Sequence, residues 1–469
     1  MRCWGSRSPP VSGPAYQRLL LVSANRERYP EPVFPIGAVY VAEAARRAGA
    51  TVRIFDAGQA SFPHHALGRA IRAFKPDLVG LSLRNLDNSG YPYTPFYLPQ
   101  YQELMAVIRR ATTAPVVLGG AAFAMFPGQF LDRLGAEAGV VGDGEAGIAD
   151  ILARGLPQGP DRLVHTSLPD LDSVGFPQEI ASILPGYRHH RTLGVQSSRG
   201  CPHRCLFCSY PTIEGRTLRA RPPERVAEDL QFLVDRGRNA FFFVDSSFNA
   251  SETHMAAVLE AILKRGLKLR FACYLEPKMS DLGLFKLLAR AGCDAIDFGI
   301  DSAAPAVMKG LQKGFTQDDI VRASAACREA GIDFCHSLIF GAPGETLETI
   351  RETIRVVREC RPTAVAPMTG LRIYPGTDLE ARAKAEGIVA TDDDLFEPRF
   401  HFGGWNPDEL IATVHREVGR SMNWFFPAAK DWRASRIYRF LTAIQPKRPL
   451  WRNSPGDHLP GFLEKALRP

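Results

Sequence analysis

The chain has 469 residues, 45% of them hydrophobic and 23% charged, enough to bury the cores of two or three domains. Its net charge of +7 is mild, no run approaches the roughly 20 apolar residues of a membrane span, and the opening segment lacks the apolar core of a secretory signal, so a cytoplasmic protein is expected. Nine cysteines, an odd number spread over this length, exclude a fully paired disulfide framework and leave reduced thiols for metal or redox work.

Residues 1–15 read as a flexible N-terminus. From 16 to 156, short β-rich runs alternate with helical stretches: "RLLLVSA" before "VYVAEAARRAGA", "TVRIFDA" before "ALGRAIRAFK", and so on to "AGVVGDG" before "EAGIADILARG". Five such pairs predict a doubly wound, Rossmann-like parallel sheet. Residues 157–191 lack periodicity and read as a linker. A second alternation fills 192–388, with strands expected at "LGVQSSRG", "AFFFVDSSFN", "LRFACYLEP", "DAIDFGIDS", "DFCHSLIFGAPGE" and "AVAPMTGLRIYP". Six units fall short of a closed barrel, so an α/β fold with a partial (β/α)6 barrel is expected, its chemistry on loops beyond the strands' C-terminal ends. Residues 389–469 form a small aromatic and basic C-terminal extension, expected to cover the barrel mouth and to carry substrate identity. Between Lys430 and Pro469, nine Lys or Arg stand against three acids, either a solvated basic face or a dock for an acidic partner.

The stretch "SSRGCPHRCLFCSYP" places Cys201, Cys205 and Cys208 on the first barrel loop, spaced C-x3-C-x2-C. Three thiolates on one loop can hold three irons of a four-iron cluster and leave the fourth iron open for chemistry. A structural zinc would take four ligands, and His203, inside the loop, has no second ligand pair to complete such a site.

These residues resemble the radical S-adenosylmethionine (SAM) superfamily, whose cluster motif "CPHRCLFC" matches, with the aromatic Phe207 before the third cysteine. "FVDSSFN" stands where that family binds the methionyl amine, which implies roles for Asp245, Ser246 and Ser247. "FGIDSAAPAVMKGLQKGFT" resembles its fourth-strand segment, implying that Asp301 and Ser302 face the ribose or carboxylate, and "LIFGAPGET" its turn near the adenine, implying Gly341. The serines also fit helix caps, and the glycines fit turns. The resemblance, over roughly 192–388, implies a [4Fe-4S] cluster, SAM and reductive cleavage to a deoxyadenosyl radical, with a reductant such as flavodoxin or ferredoxin as partner.

In the first domain, "GDGEAG" (Gly142 to Gly147) is a literal G-x-G-x-x-G, but it follows the last strand of its sheet, where a dinucleotide fingerprint would follow the first. The segment is similar instead to the cobalamin-binding domain of one branch of the superfamily. That resemblance rests on "EPVFPIGAVYVAEAARRAG", "VVLGGAAFAMFPGQFL" and "VVGDGEAGI". It implies a corrinoid lined by Gly119, Gly120, Gly142, Gly144 and Glu145. The tail-binding pattern D-x-H-x-x-G retains Asp56, but Gly58 and Ser61 replace its histidine and glycine, which implies either cobalt without histidine ligation or a lost site. His64 and His65 nearby read as solvated loop residues. Ser82 takes the place of the family's tail-contacting serine. Arg84 either sits beneath the corrin or pairs with Asp87.

The combination implies methyl transfer from methylcobalamin to an unactivated carbon or to phosphorus of a specialised-metabolite or peptide substrate. The substrate would lie near Tyr274, Glu276, His336 and Tyr374, with Tyr274 or Glu276 managing a proton. Two alternatives remain open: cyclisation or rearrangement without methyl transfer, and a cobalamin or redox sensor. No motif argues for nucleic acid.

Overall fold

The computed structural model describes residues 15–27, 32–158, 161–168, 170–187, 193–421 and 423–426. The first sheet contains β1 (Arg18–Ser23), β2 (Thr51–Asp56), β3 (Leu78–Ser82), β4 (Val116–Gly119), β5 (Ala138–Gly142) and β6 (Leu163–Thr166), in the spatial order β2-β1-β3-β4-β5-β6. Every pairing is parallel. β1, "RLLLVS", is buried at all but its first position, because a parallel sheet covered on both faces needs a continuous apolar run. Leu19 and Leu21 join Val39, Ala42, Ile148 and Ile151 from two helices on one face. Leu20 and Val22 join Leu67, Ile71, Tyr101 and Leu104 on the other.

The expected linker is not all loop: it adds β6 to the sheet edge and then two 3-10 turns, Gln178–Ser182 and Leu184–Tyr187. Four residues, "LVHT", none fully buried, give too short a pattern for periodicity to register.

The second sheet starts at β7 (Gly194–Val195). An antiparallel pair, β8 (Ser198–Arg199) and β9 (Arg219–Ala220), then brackets the cysteine loop. The sheet continues with β10 (Ala240–Phe243), β11 (Arg270–Leu275), β12 (Cys293–Asp301), β13 (Asp333–Phe340) and β14 (Ala364–Thr369). The order β14-β13-β12-β11-β10-β7 is all parallel, and its two ends do not pair, so the barrel is partial. Its helix-facing side belongs to the large core. Small residues, Ala272, Ala295, Cys335 and Ala364, line the inner side.

The run "AVAPMTGLRIYP" breaks into two elements at Gly370. Its φ is +77°, and a Cβ there would lie 2.5 Å from the Phe402 ring. The chain turns into β15 (Leu371–Arg372), which pairs antiparallel with β16 (Phe400–His401). The part of the C-terminal extension inside the described residues bridges the two domains rather than simply covering the barrel. Phe396 packs edge-on against Phe126 and Phe130 of the first domain, and Tyr91 packs against Phe400 and Phe402. The helix Pro407–Val418 lies along Leu347–Cys360, tied by Arg351 to Glu417 at 3.0 Å, and Trp424 bridges to Val365 at the β14 edge. The expected flexible N-terminus, up to residue 14, and the basic stretch 430–469 lie outside the described residues.

One ion pair fixes this bridge. Arg372 on β15 holds Asp87, in the loop after β3, at 3.0 Å, with side chains 2% and 0% exposed. Arg372→Ala leaves Asp87 as a buried, unpaired charge, which costs on the order of 3–5 kcal/mol. A lower denaturant midpoint for the domain-docked state is expected, measured by urea unfolding of the full chain; an unchanged midpoint contradicts this account of the bridge.

Candidate active site at the domain interface

The cysteine loop is pinned from several sides by backbone. Cys201 N–H donates to Gly215 O at 3.1 Å, Leu206 N–H to Leu311 O at 3.0 Å, and Leu379 N–H to Leu206 O at 2.9 Å. Gly200, just before the first cysteine, has φ +92°, and a Cβ would lie 2.1 Å from Thr217 O, so this entry turn requires glycine. The Glu214 carboxylate accepts the Gly200 N–H at 3.1 Å.

Burial raises all three thiols, Cys208 up to about 12. Thiolate forms there only when a metal centre displaces the proton. Charges on the three sulfurs act on one another. Among the described residues no three His, Cys, Asp or Glu converge on a position for a single ion. Soft donors, close together yet not gathered on one ion, fit an iron–sulfur cluster.

Of the polar residues expected around SAM, the structure turns several inward. Asp245, 1% exposed, accepts from Ser197 N–H, from the Ser197 hydroxyl at 2.8 Å and from the Ser198 hydroxyl at 2.6 Å. It organises the strand entering the loop rather than facing a ligand. Ser247 donates to Asn249 Oδ1 at 2.8 Å, and the Asn249 amide clamps the Glu276 backbone. Ser246 is the member of this trio beside the loop, donating to Gly200 O at 3.2 Å and bonding to the Cys201 thiol.

Ser302, 1% exposed, shares a hydrogen bond with Thr353 at 3.0 Å and accepts from Ala304 N–H, a capping role. Asp301 ends β12 with φ +59° and receives Lys313 Nζ at 2.7 Å. Gly341 has φ +93°, and a Cβ would lie 2.8 Å from Leu410 Cδ2. Phe207 is half-buried against the first domain's core.

His336 is not at the barrel mouth. It sits in the middle of β13, fully buried, on the face turned to helix Gln317–Ala330, where Ser324 Oγ lies 3.1 Å from its ring; burial lowers its pKa to about 3. Alternation along the strand decides this, since the neighbouring Cys335 takes the inner face.

Tyr274 does face the interior: its ring is 43% exposed and meets Phe242 edge-on at 4.9 Å. Tyr210, directly after the cysteine motif, is 37% exposed. Burial raises both phenols. Tyr374 bonds Ser89 Oγ at 2.6 Å across the interface. Glu276 stands at the end of β11 with Oε2 3.1 Å from His203 Nε2, inside the cysteine loop.

From the first domain, Arg84, two residues beyond β3, is exposed and donates to Asn85 Oδ1 at 3.1 Å, and its charge lowers the phenols of Tyr210 and Tyr274. The alternative pairing with Asp87 is not formed, because Arg372 takes that carboxylate. Ser82, half-buried, ends β3 nearby. Asp56 instead bonds Tyr187 at 2.5 Å and Gly58 N–H at 3.0 Å, fastening the segment after β6. His64 lies on helix Pro63–Phe74, 3.2 Å from Glu103, not on a loop.

A Cβ would meet Leu83 O at 2.5 Å at Gly120, Thr166 O at 1.9 Å at Gly142 and the Val41 side chain at 2.8 Å at Gly144. Close packing within the domain therefore accounts for these three glycines. At Gly119 a Cβ would meet only Val140 O, at 4.0 Å, so packing does not require glycine there.

The residues least legible in the sequence form the joint between domains. Arg199, two positions before Cys201, donates to Asp143 at 2.8 Å and to Glu145 at 2.5 and 3.1 Å, with side chains 10%, 7% and 7% exposed. Arg219 on β9 reaches Asp143 at 2.6 Å. Glu145, expected to line the corrinoid, is thus committed to Arg199. The "GDGEAG" turn serves as the anion side of a clamp on both strands that flank the cysteine loop.

A cysteine-bearing loop at the open end of a partial barrel, clamped by ion pairs to a doubly wound domain, defines a two-domain α/β architecture. The B12 binding domain family matches residues 23–152 and the Radical SAM superfamily residues 195–357. The chain therefore carries a B12 binding domain followed by a radical SAM domain. It is 28% identical over 395 residues to tryptophan 2-C-methyltransferase of Streptomyces laurentii, spanning 67% of this chain and 66%, just under two thirds, of that relative. It is 27% identical over 433 residues to hopanoid C-3 methylase of Methylococcus capsulatus, covering 85% and 78% of the two chains. The fold matches the radical SAM methyltransferase TsrM of Kitasatospora setae, solved with tryptophan and a SAM analogue, at TM-score 0.80 and 22% identity over 96% of this chain and 99% of that one. TsrM has also been solved with cobalamin and a [4Fe-4S] cluster.

Glu345, in the "GAPGET" turn, is 5% exposed, and burial pushes its carboxyl up to about 7 from 4.5. The folded state therefore holds a proton that the unfolded state releases, so stability falls as pH rises from about 4.5 to about 7 and levels off above. Glu345→Gln is expected to remove this group's decline, about 1.4 kcal/mol per pH unit inside that window. Urea unfolding of both proteins at pH 5 and pH 8 checks it, and parallel pH profiles contradict it.

Proposed function

We propose that the protein is a cobalamin-dependent radical SAM methyltransferase acting on an unactivated carbon, or on phosphorus, of a specialised small molecule or peptide. The observation that carries this reading is the clamp of Arg199 on Asp143 and Glu145. It holds the root of the cysteine loop against the first domain. When bound, cluster, SAM and cobalamin supply an electron, a methyl donor with a radical precursor, and a methyl carrier.

The chain's own residues hold, orient and shield. Cys201, Cys205 and Cys208 are the cluster ligands, with Phe207 beside them. Ser246 and Gly341 flank the SAM site. Ser82, Arg84 and Gly119 would hold the corrinoid, and the Arg84 cation, offering no lone pair, would not serve as a ligand to its metal. Glu276, 3.1 Å from His203, and Tyr274 are the groups at the mouth that would move a proton. A low-potential flavodoxin or ferredoxin is the expected electron donor. No helix among the described residues is long and apolar enough to cross a membrane.

Anaerobic reconstitution of the full chain with iron, sulfide and cobalamin, followed by SAM turnover, tests this reading. Methyl transfer gives S-adenosylhomocysteine together with 5′-deoxyadenosine. Deoxyadenosine alone overturns it in favour of rearrangement, and intact SAM under strong reductant in favour of a sensor. Changing Cys201, Cys205 and Cys208 together to Ala is expected to abolish cluster absorption and SAM conversion while corrinoid uptake persists; retention of both activities sinks the assignment.

A further inference from the structure

Besides the thiols, one buried charge pair lies against the cysteine loop. The chain leaves β12 at Asp301 and, after helix Pro305–Gly310, turns through Gln312 at φ +58°. Leu311 O accepts the Leu206 N–H at 3.0 Å, which fastens this return segment to the residue between Cys205 and Phe207. Lys313 follows, 7% exposed, donating to Asp301 Oδ2 at 2.7 Å and to Gly299 O at 2.9 Å. Asp301 is 9% exposed, so the ammonium and carboxylate are buried together. A buried ammonium is retained at a cost unless paired, and here its partner is supplied by the strand it returns to.

Both charges act on the Cys205 thiol, Lys313 lowering it and Asp301 raising it, and Asp301 also raises Cys208. A positive charge in a low-dielectric setting stabilises whichever neighbouring state carries more negative charge, and an iron–sulfur centre gains one on accepting an electron.

We propose that Lys313 is a positioning residue that sets the reduction potential of the cluster held by Cys201, Cys205 and Cys208, with Asp301 as its opposing charge. The inference rests on the cluster assignment above. It gives Asp301 a part that its expected contact with SAM did not include. The electron comes from an external one-electron donor, and no bond is made or broken at Lys313.

The test uses full-length protein reconstituted with iron and sulfide, without SAM or cobalamin, and titrated with dithionite under electron paramagnetic resonance. Lys313→Met is expected to move the reduced-to-oxidised ratio at fixed potential about tenfold toward the oxidised form, a midpoint about 59 mV more negative for a one-electron couple. Lys313→Arg, keeping the charge, is expected to restore the ratio to within about threefold of the parent. Asp301→Asn is expected to move it in the opposite direction. Unchanged midpoints in both neutralised variants, with full clusters, overturn the proposal; so do shifts of the same sign, which would report a loosened loop. Should Lys313→Met fail to load a cluster, Asp301→Asn carries the sign test alone. If the parent protein takes up no cluster, the absorbance before titration says so, and the cluster assignment itself has failed.

Discussion

The arrangement depends on a buried guanidinium. Arg199 sits two residues before the first cysteine and is held by two carboxylates from the other domain. A charge so enclosed is tolerable only while both partners stay in place. The docking of the domains and the position of the cysteine loop are therefore one constraint. Movement of either domain would strand three charges in an apolar setting. Arg219 on β9 shares the Asp143 carboxylate, so both strands bracketing the loop answer to the same turn.

A second buried pair, Arg372 with Asp87, closes the interface from the side of the C-terminal extension. Such ionic clamps fix two bodies in a single register by geometry. Apolar packing crosses as well, through Phe396 and Tyr91 and through the shared core that joins Leu206 and Leu311 to Leu118 and Phe123. Charge is also distributed around the loop itself, with Lys313 and Asp301 on one side and His203 with Glu276 on the other.

Much of the second tier of the site is polarity turned inward. Asp245, Ser302 and Asp56 stand at strand ends where ligand contacts are expected, but each is committed to backbone or hydroxyl groups of its own chain. A buried polar atom must find partners, and a loop that carries three cysteines with little regular structure needs such support. These residues act on the site by holding the segments that hold the ligands.

By itself the sequence determined what depends on local pattern. The two alternating series specify two parallel sheets, since continuous apolar runs between amphipathic helices pack no other way. The C-x3-C-x2-C spacing specifies the donor set, because thiol chemistry and loop length are both local. The tertiary structure alone decided facing and pairing. Whether His336 looks inward follows from strand alternation, whether "LVHT" joins a sheet depends on an edge offered elsewhere, and whether Arg84 is paired turned on Arg372, 288 positions away along the chain. Buried ion pairs such as Arg199 with Glu145 leave no periodic trace: each partner is an ordinary charged residue until the fold brings the two together.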